Sequence, residues 1–191
     1  MVLDDAGNTR SIRQLTYPIS SARMVADDNG GVYAFTGTRA IENGVYVYYS
    51  TLNKFDVGGT SLLSRRFNDS YAGSIVKIGT DVFITTVNPT TSATTLYKVT
   101  INGEISTIKS FGDLRGGFNL VKTADNNLAL MGYDNTGTQM VKLTLTGTEL
   151  WRKKFTTEVN YFTNTPDGGF IMIPFGDRSP ILKTDSEGNF E

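Results

Sequence analysis

A chain of 191 residues that is 39% hydrophobic and 11% aromatic can bury a sizeable core, and its formal net charge of −1 gives no electrostatic reason to expect nucleic acid or an anionic membrane surface as partner. Histidine and cysteine are both absent, which removes Ser-His-Asp chemistry, a histidine general base, most zinc sites, thiol nucleophiles and any disulfide framework. No apolar run approaches the roughly 18 residues of a spanning helix. Membrane insertion is therefore not expected, and because Met1 leads straight into Val-Leu-Asp-Asp, a targeting peptide is expected to be absent or already removed.

Residues 2–7 match the end of a strand, and residues 8 to 16 supply the strand after it. The next strand is predicted from Arg23 to Ala26 and ends in a turn of Asp, Asn and Gly, residues that tolerate positive φ or bond their own backbone. A more apolar strand rich in β-branched and aromatic residues follows from Val32 to Thr36. Residues 37 to 44 read as a loop. A third strand carrying Lys54 then runs to Gly59, and a fourth carries Arg65 and ends at Phe67. The same unit returns as Ser74 to Ile78, Val82 to Val87, Lys98 before Gly103, and Lys109 before Phe111. It returns again as Phe118 to Thr123, Leu128 to Tyr133, Lys142 before Gly147, and Lys153 before Phe155. The last copy has Tyr161 to Thr165, Phe170 to Ile173, and Lys183 before Gly188. Tyr97, Val99 and Ile101 alternate with Leu96, Lys98 and Thr100, the period of a strand with two faces, and no segment shows helical periodicity.

Gly7, Gly59, Gly103, Gly147 and Gly188 thus mark a repeat of roughly 45 residues, the period of propeller blades. The expected fold is all-β: a β-propeller of four-stranded antiparallel blades, one domain over residues 1–191 with repeats at about 21–67, 74–111, 118–155, and 161–191 plus 1–16. The two ends are complementary, so four blades are expected, the last closed by pairing residues 8 to 16 against the C-terminal third strand. The alternatives are a piece of a longer propeller, or two chains joining in one larger ring, so that the chain is a monomer or a dimer. Arg13, Arg65, Lys109 and Lys153 fall on the outermost strand of each blade, where charge discourages pairing with another chain; edge protection is expected of them rather than a binding stripe.

Thr146-Gly-Thr-Glu-Leu-Trp151 resembles the TGxExW portion of the tryptophan-docking repeat of quinoprotein propellers. Asp125-Asn-Asn-Leu with Lys142-Leu-Thr-Leu-Thr-Gly147, and Asp167-Gly-Gly-Phe170 with Leu182-Lys-Thr-Asp185, are similar to repeats of bacterial secreted or lipoprotein β-propellers. The resemblance implies the fold and an extracytoplasmic location. The chain departs from quinone-dependent dehydrogenases where their chemistry lies: the counterparts of Trp151 are Ser11, Leu63 and Thr107, and cysteine is absent, so no cofactor is expected. Trp151 is expected to pack between neighbouring blades. The acidic turns at Asp27-Asp28-Asn29, Asp134-Asn135-Thr136 and Asp167 lack EF-hand spacing and read as β-turns, so no metal site is expected.

Residues shared by every blade belong to the framework, which leaves function to polar and aromatic residues that appear once. Strand direction places residues 16 to 22, 37 to 44, 68 to 73, 88 to 93, 112 to 117, 134 to 138, 156 to 160 and 174 to 179 on one face. The ligand-binding candidates there are Arg39, Tyr71, Arg115, Asp134 and Arg178, with Tyr161 just below on an inner strand; Arg and Tyr offer large contact area with directional donors. The expected function is non-catalytic binding of a glycan, peptide or protein through this face, with no catalytic residue assigned. The alternative is a carboxylate-based enzyme acting on polysaccharide, with two of Glu42, Asp113, Asp134, Glu158 and Asp177 as acid and base.

Overall fold

The computed structural model describes residues 2–3, 9–11, 19–176 and 180–190. Every regular element among them is a strand. The order is β1 (Val2–Leu3), β2 (Thr9–Ser11), β3 (Ile19–Ala26), β4 (Val32–Glu42), β5 (Val45–Phe55), β6 (Ser61–Asn68), β7 (Tyr71–Ile78) and β8 (Asp81–Val87). There follow β9 (Ala93–Val99), β10 (Ile105–Lys122), β11 (Leu128–Asp134), β12 (Gly137–Leu143), β13 (Glu149–Phe155), β14 (Val159–Asn164), β15 (Phe170–Pro174) and β16 (Leu182–Thr184). All pairings are antiparallel. The first unit is the sheet β3-β4-β5-β6, the second and third share the sheet β7 to β13, and the last is β14-β15-β16.

Two expected loops are strand instead. Residues 37 to 44 continue the β4–β5 ladder from Gly37↔Ser50 to Glu42↔Val45, and only Asn43 and Gly44 form the connection. Both have positive φ, 51° and 78°, as a two-residue hairpin turn requires, and the run Val45-Tyr-Val-Tyr48 favours extended pairing. Residues 112–117 lie within β10, whose first part pairs with β9 and whose second part pairs with β11. The ladder breaks between Phe111 and Arg115, where fully buried Leu114 anchors the chain as it passes from one unit to the next.

The core lies between successive units. Phe35, Leu52 and Phe67 of the first meet Ile75, Val82 and Ile84 of the second; Phe83, Leu96 and Phe111 of the second meet Leu120, Leu128 and Leu130 of the third; Met131, Met140 and Phe155 of the third meet Phe162, Phe170 and Met172 of the last. Within β11, Leu128 and Leu130 face one cluster while Ala129 and Met131 face the other. A strand buried on both faces needs apolar residues at both phases of its alternation, which is why each second strand is the most apolar. Trp151 packs at such a boundary, edge-on to Phe170 with ring centroids 6.1 Å apart.

The outer-strand basic residues also join one unit to the next. Arg65 Nε donates to Gly103 O of the next unit at 2.8 Å, Lys109 pairs with Glu149 of the next at 3.2 Å, and Lys153 Nζ donates to Asn189 Oδ1 of the last at 2.9 Å. Arg13 lies outside the described residues. Each long side chain thus reaches the third-to-fourth-strand turn of the following unit, beside the repeated glycine. That glycine has a positive φ of 81°, 87° and 75° at Gly103, Gly147 and Gly188. A Cβ on Gly147 would sit 2.8 Å from Ile108 Cγ2, and one on Gly188 would sit 2.9 Å from Lys153 Cγ and 3.1 Å from Trp151 Cη2.

The third-strand lysines act inside each unit. Lys54, Lys98, Lys142 and Lys183 pair with Asp27, Asp81, Asp125 and Asp167 at 3.0, 2.6, 3.0 and 2.7 Å, tying the third strand to the turn between the first two. Burial pushes the Asp125 carboxyl up, and bonds from Thr123, Lys142 and Asn127 outweigh it and hold the group at about 2.

At the chain ends, Thr9–Ser11 pairs with Val2–Leu3, while Leu182–Thr184 pairs with β15 and Thr184 bridges Phe190. The expected pairing of residues 8 to 16 with the C-terminal third strand is therefore not the one formed by the described residues, and the rest of that stretch lies outside them.

Gly147→Ala is expected to lower stability by about 1–3 kcal/mol, because it places a side chain at positive φ and against Ile108. Chemical denaturation checks it, and an unchanged midpoint would refute the joint.

Candidate functional site

Three inner-strand residues occupy equivalent positions in the ladders: Arg23 opposite Phe35, Asn119 opposite Met131, and Tyr161 opposite Ile173. All three line one cleft of about 920 Å³ between the third and last units. β10 adds Phe118, the Asn135-Thr136 turn after β11 forms one wall, and Glu158 and Phe175 approach from the last unit. Phe118, Tyr161 and Phe175 are 40%, 51% and 54% exposed, unusual for rings of that size. The opening faces the side expected from strand direction, since it gathers residues of the 112–117, 134–138, 156–160 and 174–179 stretches.

Hydrogen bonds between units hold the cleft walls. Tyr133 Oη donates to Val159 O at 2.6 Å, Asn119 Nδ2 to Asn160 O at 3.1 Å, and Val159 N to Thr138 Oγ1 at 3.0 Å. Burial and then the nearby Glu158 charge raise the Tyr133 phenol above its usual value, so it stays a neutral donor at physiological pH.

Asp134 closes the turn that forms the wall. Its Oδ1 accepts from Thr136 N at 2.6 Å, and its Oδ2 accepts from Gln139 Nε2. Gln139 Oε1 in turn accepts from Arg152 at 2.7 Å, and Arg152 also reaches Asp113 at 3.0 Å and Glu149 at 2.9 Å. The Thr136 side-chain and backbone donors and Gln139 lower the Asp134 carboxyl to about 2, so it is a fixed anion. A smaller recess of about 310 Å³ uses the same turn as its wall and holds Arg115 and Asp113.

Of the residues picked out by sequence, Asp134 and Tyr161 share the cleft and Arg115 lies in the adjoining recess. Arg39 and Tyr71 form a separate cluster: the Arg39 guanidinium lies 4.0 Å from the centre of the Tyr46 ring, and Tyr48 meets Tyr71 edge-on at 5.0 Å. Asp177 and Arg178 lie outside the described residues. Sequence reasoning passed over Arg23, Phe118 and Asn119 because they sit on strands assigned to the framework. The usable signal was one inner-strand column holding Arg, Asn and Tyr where a pure scaffold position would repeat one residue type.

No family model matches the chain, and no curated protein does. Solved structures do. The β-propeller domain of the trilobed protease from Pyrococcus furiosus, which has an open velcro topology, is similar at TM-score 0.57 and 11% identity over 91% of this chain and 57% of that one. Porphyromonas gingivalis dipeptidyl peptidase 4 is similar at TM-score 0.61 and 14% identity over 88% of this chain and 30% of that one. Streptogramin B lyase is similar at TM-score 0.52 and 13% identity over 90% and 70%. The fold is a β-propeller. The chain spans little more than half of the first of these proteins, and identities this low speak to the propeller fold alone. A peptidase and a lyase are thus both among the proteins of similar fold.

Asp134→Ala is expected to lower the melting temperature at neutral pH. The folded-state value of about 2 lies below the ordinary 3.8, so the contribution is complete above pH 3.8 and is lost as pH falls through about 2. The difference between variant and parent should therefore close over that interval in a pH series of melts; a constant gap would refute the assignment.

Proposed function

We propose that this propeller is a non-catalytic binding module that holds a glycan, peptide or protein segment in the cleft between its third and last blades. The observation that carries this reading is the combination in one cleft of three exposed rings with a carboxylate, Asp134, whose oxygens are both engaged by Thr136 and Gln139. Rings at an aqueous opening supply contact area, and a carboxylate held at about 2 does not deliver a proton near neutral pH. Arg115 in the adjoining recess extends the same surface, and Arg39 with Tyr71 forms a second patch on the first blade. A four-blade ring belongs to this reading: Arg23 of the first blade and Tyr161 of the last line one cleft, as a ring of four would place them.

The enzyme reading draws on one feature, that Glu158 lines the cleft together with Asp134. The two are told apart by display arrays and by reducing-end release from soluble xylan and laminarin. Binding of the intact chain to an arrayed glycan or peptide, lost in Tyr161→Ala and kept in Glu158→Gln, is the expected result. Release of reducing ends that Glu158→Gln abolishes would overturn it.

A further inference from the structure

We infer that the occupant of this cleft is an uncharged oligosaccharide; the inference rests on the binding-module reading above. A peptide strand added along β14 would need backbone groups that already have partners. Glu158 O accepts from Phe175 N at 2.9 Å, Val159 O from Tyr133 Oη at 2.6 Å, and Asn160 O from Asn119 Nδ2 at 3.1 Å, while Val159 N donates to Thr138 Oγ1 at 3.0 Å. Strand addition at residues 158–160, where β14 enters the cleft, finds these backbone groups already occupied.

Recognition therefore falls to side chains, which are of two kinds. Phe118 on the third blade and Tyr161 and Phe175 on the last line the cleft from both sides with partly exposed aromatic side chains. Between them stand neutral amides and hydroxyls, Asn135, Asn160 and Thr156. A pyranose presents the complementary pair: a C–H face that lies on an aromatic ring, and hydroxyls that donate and accept at once, matching the donor and acceptor of a side-chain amide. Charge selects among sugars. Among the described residues the cleft has one cation, Arg23, against the carboxylates Asp134 and Glu158, so nucleic acid or a sulfated glycan meets there a single guanidinium between two anions. The volume of about 920 Å³ is that of a ligand site open enough to take a short chain of sugar rings.

The test is titration of the full chain, followed through the side-chain amide resonances of the cleft asparagines. The probes are neutral cello-, xylo-, malto-, laminari- and chito-oligosaccharides, with a heparin hexasaccharide and a random peptide pool as comparison arms. At least one neutral oligosaccharide is expected to shift these resonances at millimolar concentration, with affinity rising with chain length. Phe118→Ala and Tyr161→Ala are expected to weaken it about tenfold or more, Tyr161→Phe to retain it, and Arg39→Ala to leave it unchanged. No shift from any neutral member, or tighter binding of the heparin probe, overturns the inference. Shifts from the peptide pool alone overturn it while leaving the binding-module reading intact. Hydrolysis of a bound neutral sugar would instead overturn the non-catalytic reading and uphold the sugar assignment.

Discussion

The repeated glycine of the second, third and last blades sits beneath the outer strand of the blade before it, and the rest of the architecture follows from that contact. At Gly103, Gly147 and Gly188 the backbone turns with positive φ, and the space a side chain would occupy is filled by Leu63 and Arg65, by Ile108, or by Trp151 and Lys153. The same turn receives the basic side chain of the preceding outer strand. Glycine is needed here twice over, for the backbone conformation and for the close approach. The apolar clusters form only when consecutive sheets are brought to this distance, so the polar joint sets the spacing and apolar burial supplies most of the stabilisation.

Within a blade, the lysine–aspartate pair does the corresponding work at shorter range. Lys54, Lys98, Lys142 and Lys183 each reach an aspartate beside the first turn, although the acid stands at different distances from the second strand in different blades. A long flexible side chain tolerates that variation, whereas a backbone contact does not. This explains why the lysine recurs in strict register while its partner wanders. Lys54 and Lys142 are nearly buried at their charged ends, where an unpaired ammonium would be costly, and the partner carboxylates remove that cost.

The cleft lies where the inner strands of the first, third and last blades come together, open on one side. Arg23, Asn119 and Tyr161 stand at the same rung of that inner surface. The framework spends its glycines, lysines and outer-strand cations on holding the blades together, and this leaves the inner column free to vary. Tyr133, Asn119 and Thr138 link the third and last blades around the cleft, and Asp134 holds the turn that forms one wall, so hydrogen bonds both between and within blades fix its shape.

The strand pattern, the repeat length and the two recurring cations were legible in the sequence, because alternation, turn residues and register are local properties that each blade restates. The continuation of strand through residues 37 to 44 and through 112–117 was not, since turn-rich composition is also compatible with a bulged or extended strand once a neighbour supplies the ladder. The purpose of Arg65, Lys109 and Lys153 was equally invisible, because their partners lie in the next repeat and only packing brings them together. Of the site, Asp134, Arg115 and Tyr161 could be picked out as unrepeated residues; Arg39 and Tyr71 were drawn by the same rule to a different patch. Sequence by itself determined that this protein is a stack of antiparallel β units, since periodicity constrains what each residue does to its neighbours in the chain. Only the tertiary structure decided which residues share a cleft, because Arg23, Asn119 and Tyr161 are distant in sequence and meet through the angle between blades.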